Sequence, residues 1–517
     1  MTLAPEPSGR TEPAGAGTAA VAAGHPATVN AARDILDQGG NAFDAAIAAA
    51  CVAAVAEPGL TSLGGGGFLL ADPVGEEPVL IDFFVDTPGR GSAVHDVQMT
   101  PVDIRFGGAV QRFNVGYGSV AVPGCLAGYL HIHQRWGSLD LTSVLRPAIQ
   151  TAREGVEISR FQAQFFALLE PIFTLTEQGR RIFAPGGRFL GQGDLCTNPW
   201  LADFFEHIAA THPSPPKHRR DAALGRTGHA LSAAIADQIG HEMAAHGGLV
   251  TATDLNSYRV IERAPLRIVY GGVEVFTNPP PSFGGSIVTA ALTSMGTTPA
   301  SERPRPGSAA AVAALVGSLR DAVDVHRRRP PFAPLQASKG TTHISVVDAL
   351  GNVATMTTSN GSGSGVFLAE TGIHANNIMG EEDLHPEGLH SEPAGLRVGS
   401  MMAPTIVRWP EGRKVALGTG GSERIRSAIA QTLSHLIDAG ESISDAVKQP
   451  RFHWDGAVLQ CEPGFDIACM EQLAASMPVN RWETPDLYFG GVHAVDTDGH
   501  AVGDTRRGGQ GWVSTPG

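Results

Sequence analysis

Three features of the 517-residue chain predict an α+β fold. Apolar residues recur at helical spacing through much of the first 330 residues, alternate with a period of two beyond residue 341, and form strand-like runs on both sides of that change. A layered sandwich whose sheets draw on both segments satisfies all three. The length also exceeds that at which one hydrophobic core usually stops growing, so two lobes or coupled segments are expected.

The elements follow in order. Residues 1–17 are rich in Pro, Gly, Glu and Thr and are expected to be a disordered tail. Helical spacing from Ala27 to Leu36 stops at Gly39 and Gly40 and resumes from Asp44 to Ala56, predicting two helices packed closely through alanines. Gly64 to Gly67 then lead into "FLLADPVGEEPVLIDFF", which alternates like a hairpin, and a tetraglycine lets backbone pass where a side chain would block. "PGCLAGYLHIHQRWG" and "LTSVLRPAIQTAREGV" form a second helical pair, and a mixed stretch runs to about residue 245. The segment 249–285 reads as a strand pair ending in a Pro-rich turn. A strongly amphipathic helix, "AAVAALVGSLRDAVDVHRRR", precedes the basic, Pro-rich linker "RRRPPFAPLQASKG", the clearest boundary in the chain. Beyond it come a hairpin in "THISVVDALGNVATMTTS", strands in "SMMAPTIVRW" and "KVALGTGG", and the helix "IRSAIAQTLSHLIDAG".

Composition narrows the class of function. A formal charge of -14, with no Lys/Arg stripe to offset it, repels phosphate backbones and anionic headgroups, so neither nucleic acid nor membrane is an expected partner. Five scattered cysteines without a CxxC pair fit a reducing compartment and offer no zinc site. The first thirty residues show no basic region followed by an unbroken apolar core, and the apolar run Ala45–Ala56 is too short to span a bilayer, so a cytoplasmic location is expected.

The chemistry concentrates in "SKGTTHISVVD". A threonine hydroxyl has no useful acidity near neutral pH and needs a base within reach. One solution makes the threonine the first residue of a polypeptide, so that its own α-amino group takes the proton. Thr341 meets that condition only if the Gly340–Thr341 bond is cut, and the linker before it makes such a cut conformationally easy. The alternative is that Thr341 and Thr342 simply begin a strand. His343, two residues on, reads as a packed structural histidine, as does His453. His131 and His133 point to different faces of a helix and complete no metal site.

Taken together, these motifs resemble the γ-glutamyltransferase family of N-terminal nucleophile hydrolases. The blocks "GGNAFDAAIAAACVAAVAEPGLTSLGGGGFLL", "GSVAVPGCLAGY", "NPPPSFGG", "TTHISVVDALGNVATMTTS", "ETGIHANNIMGEEDL", "SMMAPTIV", "LGTGGSERIRSAI", "QPRFHW" and "GDTRRGGQG" keep that family's order over roughly residues 24 to 510. The resemblance implies a four-layer αββα sandwich and a precursor cut before Thr341. The fragments 18–340 and 341–517 would then stay folded as one unit, with a higher oligomer open. By the same match Thr341 is the nucleophile, Gly420 and Gly421 supply the oxyanion hole, and Ser359 is the hydroxyl touching the nucleophile. Asn360, Glu381 and Ser400 are the substrate-binding candidates. The implied partners are a small-molecule amide and a water or amine acceptor, with no metal or organic cofactor.

Departures cluster where the family grips the α-carboxylate and α-amino groups of its substrate. Its Asn-Asn-Gln-Met-Asp-Asp run reads "NNIMGEED", so Ile378 replaces an amide, Gly380 replaces the first acid, and Glu381 is the nearest remaining acid. Ser400 is retained while Met401 replaces its partner serine, and Phe84 stands where the family's arginine follows Asp-Phe. Arg90 and Arg105 lie further on and do not align. Losing a bidentate guanidinium removes the geometry best suited to a carboxylate. The expectation is an autoprocessing amidase or acyltransferase of γ-glutamyl-type amides. The alternatives are a relative acting on another small amide, and an unprocessed binder of a metabolite.

Overall fold

The computed structural model describes residues 17–106, 109–212, 233–327, 340–385 and 388–515. The predicted tail, apart from Gly17, and linker residues 328–339 lie outside the described residues. Gly17 donates its N–H to Ala349 O.

Two sheets face one another with helices outside each. The first sheet is built from β1 (Ala20–Ala23), β2 (Gly66–Asp72), β3 (Val79–Phe83), β4 (Ile261–Arg263), β7 (Thr342–Val347), β8 (Val353–Ser359) and β13 (Gln510–Val513), in the spatial order β13-β1-β7-β8-β2-β3-β4. The second holds β5 (Leu266–Tyr270), β6 (Val273–Thr277), β9 (Thr405–Arg408), β10 (Lys414–Gly420), β11 (Gly491–Asp496) and β12 (Ala501–Val502), in the order β12-β11-β10-β9-β6-β5. Every pairing within both sheets is antiparallel. Each sheet draws strands from both sides of the linker, as predicted.

The period of two along each strand explains the layering. Val21 and Ala23 of β1, with Ile344 and Val346 of β7, join the apolar cluster of α1 (Pro26–Asp37), α2 (Ala42–Ala56), α3 (Cys125–Trp136) and α4 (Leu141–Glu154). Their neighbours Ala20, Ala22 and Val347 belong to a second cluster with the other sheet, α5 (Gly284–Gly296), α6 (Ala309–Arg327) and α7 (Arg424–Ile437). The result is the helix–sheet–sheet–helix sandwich. All of α2 is buried, opened by a capping box between Asn41 and Asp44. Its alanines let it lie close against β7 and β8.

The segment 249–285 departs from the predicted strand pair. It holds a short helix, Ala252–Ser257, followed by three strands, because Thr251 and Asp254 satisfy each other's backbone N–H groups in a capping box that alternation alone conceals.

Candidate active site

Register sets the site. Thr342 pairs with Thr358 and Ser359 with Gly66, so Thr341 and Ser359 meet at the same end of adjacent strands. Thr342 turns to the helical layer, where its hydroxyl donates to Glu57 Oε2 at 2.7 Å. His343 turns the opposite way, its ring against Gly418 of the second sheet.

Thr341 is buried, and its hydroxyl donates to Ser359 Oγ at 3.3 Å. Ser359 Oγ in turn donates to the carbonyl oxygen of Gly340 and accepts the N–H of Gly361 at 3.0 Å. One hydroxyl therefore couples the nucleophile candidate to the carbonyl of the peptide bond that precedes it. Gly340 is held where no side chain fits: an added Cβ would stand 1.5 Å from Gly361 O. Gly420, at the end of β10, is equally confined, since a Cβ there would lie 2.2 Å from Thr341 O. Gly421 follows at φ 128°, a conformation open chiefly to glycine. Gly420 therefore packs directly against the backbone of Thr341.

A cleft of about 460 Å³ opens over Thr341 and Ser359. Glu381, Ser400 and Ser422 are its other polar lining residues, while Phe84, Ile378, Leu384, Met401, Met402 and Ile425 make an apolar wall. Asn360, a predicted binding residue, is fully buried and absent from this lining. Its carbonyl accepts the N–H groups of Gly363 and Asn377, tying two loops together. The Pro-rich turn holds the Met401 wall: Ser282 Oγ donates to the carbonyls of Ser400 and Met402, and Asn278 Nδ2 donates to Met402 O. Phe84 stacks on Phe68 with centroids 5.6 Å apart.

The nearest charged system behind Phe84 is already occupied. Arg397 Nη1 donates to Asp82 Oδ1, Phe84 O and Tyr258 Oη, Nη2 donates to Arg259 O, and Nε pairs with Asp86 at 2.9 Å. Arg90 leans on Gly395 O at 3.4 Å and does not line the cleft.

The histidines are structural. His343 bonds Thr357 Oγ1 through Nδ1 and Ser345 Oγ through Nε2, and burial drives its pKa well below the ordinary value. His453 bonds Ser427, His131 bonds Glu262, and His133 bonds Leu139 O. No group of three or more His, Cys, Asp or Glu side chains among the described residues is arranged to hold a metal ion. All five cysteines are buried and unpaired, and among the described residues no helix is long and apolar enough to cross a membrane.

Two charged residues of the site were not singled out in the sequence. Glu57, at the end of α2, accepts the hydroxyls of Thr28 and Thr342, and burial raises its pKa from 4.5 to about 6 against those bonds. Arg507 Nη1 donates to Thr341 O at 3.3 Å. An acid ending an apolar helix was the available signal for the first. For the second, "GDTRRGGQG" was visible as a block, but its contact with Thr341 spans 166 residues.

The fold, with a threonine opening an inner strand, defines a hydrolase of the N-terminal nucleophile class. Residues 28–330 and 306–514 match the profile described as Gamma-glutamyltranspeptidase. The chain belongs to the gamma-glutamyltranspeptidase family. It is 31% identical over 502 residues to the Acylase ACY 1 proenzyme of Pseudomonas sp. (strain SE83), covering 90% of this chain and 87% of that one. It is 29% identical over 496 residues to the Glutathione hydrolase proenzyme of Escherichia coli (strain K12), covering 86% and 82%. The cephalosporin acylase from Bacillus halodurans superimposes with a TM-score of 0.78 at 22% identity, over 99% of this chain and 98% of that one, which shows a shared fold.

Proposed function

We propose that this proenzyme cuts its own Gly340–Thr341 bond and then uses Thr341 to move the acyl group of a small amide to water or an amine. In maturation Thr341 Oγ1 attacks the Gly340 carbonyl carbon, the C–N bond breaks with its nitrogen taking a proton, and water hydrolyses the resulting ester. The observation that carries this reading is the chain of hydroxyls from Thr341 through Ser359 to the Gly340 carbonyl. Ser359 polarises that carbonyl, and Gly420 with Gly421 receives charge on the oxygen of the later tetrahedral intermediate. In the mature enzyme the new α-amino group takes the hydroxyl proton of Thr341 and returns it to the leaving amine. The two fragments remain one sandwich because in both sheets strands of one pair with strands of the other.

We assign the substrate to amides other than γ-glutamyl ones. The support is the wall itself: Phe84 and Met401 present hydrocarbon where a carboxylate would need a guanidinium or hydroxyls, and Arg397 is spent on Asp82 and Asp86. A second reading, residual γ-glutamyl transfer, is favoured by Glu381 and Ser400 in the same cleft, where an ammonium and a carboxylate edge would find partners. Intact mass of fresh protein tests maturation, the expectation being two fragments that meet at Gly340 and Thr341. A panel of anilides tests the substrate: faster release from an apolar acyl anilide than from γ-glutamyl anilide supports the first reading, and the reverse order supports the second.

A further inference from the structure

Arg507 is a buried cation with no counter-ion in contact. It lies in the turn before β13, with its stem packed on Gly491 and its guanidinium beside Gly420 and Gly421. Nη1 donates to Thr341 O at 3.3 Å, while Nε and Nη2 donate to Leu487 O at 3.3 and 3.2 Å. All of these acceptors are neutral carbonyls. Among the described residues no carboxylate lies within ion-pair distance of it: the adjacent Asp504 pairs with Arg451 and Arg506. Desolvation, with Arg424 nearby, lowers its pKa to about 10, which still leaves it charged at neutral pH.

Burying an unpaired charge is costly, and a chain keeps one where the charge has work to do. The contact on Thr341 O fixes where that field acts. By covalent geometry the nitrogen of Thr341 lies within about 7 Å of this guanidinium. At that range, inside protein, a like charge strongly disfavours an ammonium ion.

We propose that Arg507 is a positioning residue whose buried charge keeps the amino group of processed Thr341 unprotonated near neutral pH. The proposal rests on the autoprocessing reading above. It gives the base its competence: an ordinary α-amino group titrates at roughly 7.7 to 8.0 and would be largely protonated, hence useless as a base, at pH 7. Other charged groups face this region, and Asp486 also acts on the Arg507 guanidinium. Glu57 faces from the end of α2 on the opposite side of the strand, and Glu381 faces from across the cleft. Glu423, Arg424 and Arg426 sit on the first turn of α7, with Arg424 beside Arg507 and Arg426 3.6 Å from Glu423. His343 and His493 face from the inter-sheet layer and are held neutral by burial. The two nearby acids pull the amine upward, and Arg507 opposes them with a backbone contact on the nucleophile itself.

The test is the pH profile of kcat/KM in the mature wild type, Arg507→Gln and Arg507→Lys. The acidic limb should move up by about one pH unit in the glutamine variant and stay near wild type in the lysine variant, which keeps charge without the fork. A purely structural role would lower kcat/KM at every pH and leave the limb in place, overturning the proposal. Should the glutamine variant fail to mature, titration of the wild-type amino terminus by its rate of carbamylation with cyanate decides. A pKa below the ordinary α-amino range supports the proposal, and one within or above it overturns it. Intact mass keeps the two readings apart: cleaved enzyme with an ordinary amine pKa refutes only the role of Arg507, whereas a chain that never exposes Thr341 refutes the functional reading and this one with it.

Discussion

The two sides of the cleft are built on different principles. On the reaction side, Gly340, Thr341, Ser359 and Gly420 are placed by strand register and by backbone atoms at distances that leave no room for a Cβ. On the recognition side, Phe84, Ile378, Leu384 and Met401 are side chains on connecting segments, and changing them alters the shape and polarity of the wall without moving a strand. A centre fixed by backbone admits few substitutions, whereas a wall made of side chains can be re-tuned. On the proposed function, this contrast accounts for a chain that keeps the reaction motifs of the family it resembles and departs from the substrate-binding ones. Substitutions on the two sides should therefore fail in different ways.

The largest effect falls on the nucleophile. Thr341→Ala should leave a single chain of 53.8 kDa and reduce amide turnover by about four orders of magnitude or more, checked by intact mass and anilide release. Thr341→Ser should still be cut. Normal turnover in the alanine variant would remove the reaction side from the comparison altogether.

Gly340→Ala comes next, and it leaves every reacting group chemically intact. Its methyl would meet Gly361 O at 1.5 Å and Gly59 O at 2.7 Å, both backbone atoms that cannot swing aside. Displacing the Gly340 carbonyl by the resulting ångström or so should slow maturation by about a hundredfold, seen as persistent precursor on a denaturing gel. Ser359→Ala removes the donor to that carbonyl and should slow maturation by a factor on the order of 10² to 10³, while Ser359→Thr keeps most of the rate.

These same residues show how much of the molecule was legible in the chain. The α+β class, the helical pairs and the strands after the linker follow from period alone, because burial on one face imposes period on sequence. The sandwich and the roles proposed for Thr341, Ser359, Gly420 and Gly421 needed whole blocks of resemblance, since nothing local distinguishes a nucleophilic threonine from one that merely begins a strand. Glu381 and Ser400 line the cleft, while Asn360 is fully buried and outside its lining, a distinction that local sequence does not carry. Arg507 and Glu57 escaped notice because their meaning lies in contacts with Thr341 and Thr342 across 166 and 285 residues. Local pattern carries no trace of such pairs.

Substitutions on the recognition side should change preference and leave maturation intact. Phe84→Arg gives up the stack on Phe68 but adds a guanidinium to the wall. Processing should stay near wild type, while kcat/KM for γ-glutamyl anilide relative to an apolar acyl anilide should rise by about tenfold, the value of one charged hydrogen bond. If maturation fails in this variant as it does in Gly340→Ala, the two sides of the cleft are not separable and the contrast collapses.

The smallest predicted effect concerns Glu57, which joins the reaction strand to the helical layer. Its folded-state pKa, about 6, exceeds the ordinary 4.5 because burial outweighs the hydroxyls of Thr342 and Thr28. The native state therefore binds the proton more tightly than the unfolded chain. The stability this gives is complete below pH 4.5 and is lost as pH rises through about 6. Glutamine keeps the hydroxyl contacts without a charge to bury. In the uncut Thr341→Ala background, where one chain unfolds, Glu57→Gln should gain on its parent by about 2 kcal/mol between pH 4.5 and 7, read from urea midpoints at the two values. A gap that does not widen across this interval would mean that Glu57 is solvated, and that the nucleophile strand owes its position to β-sheet register alone.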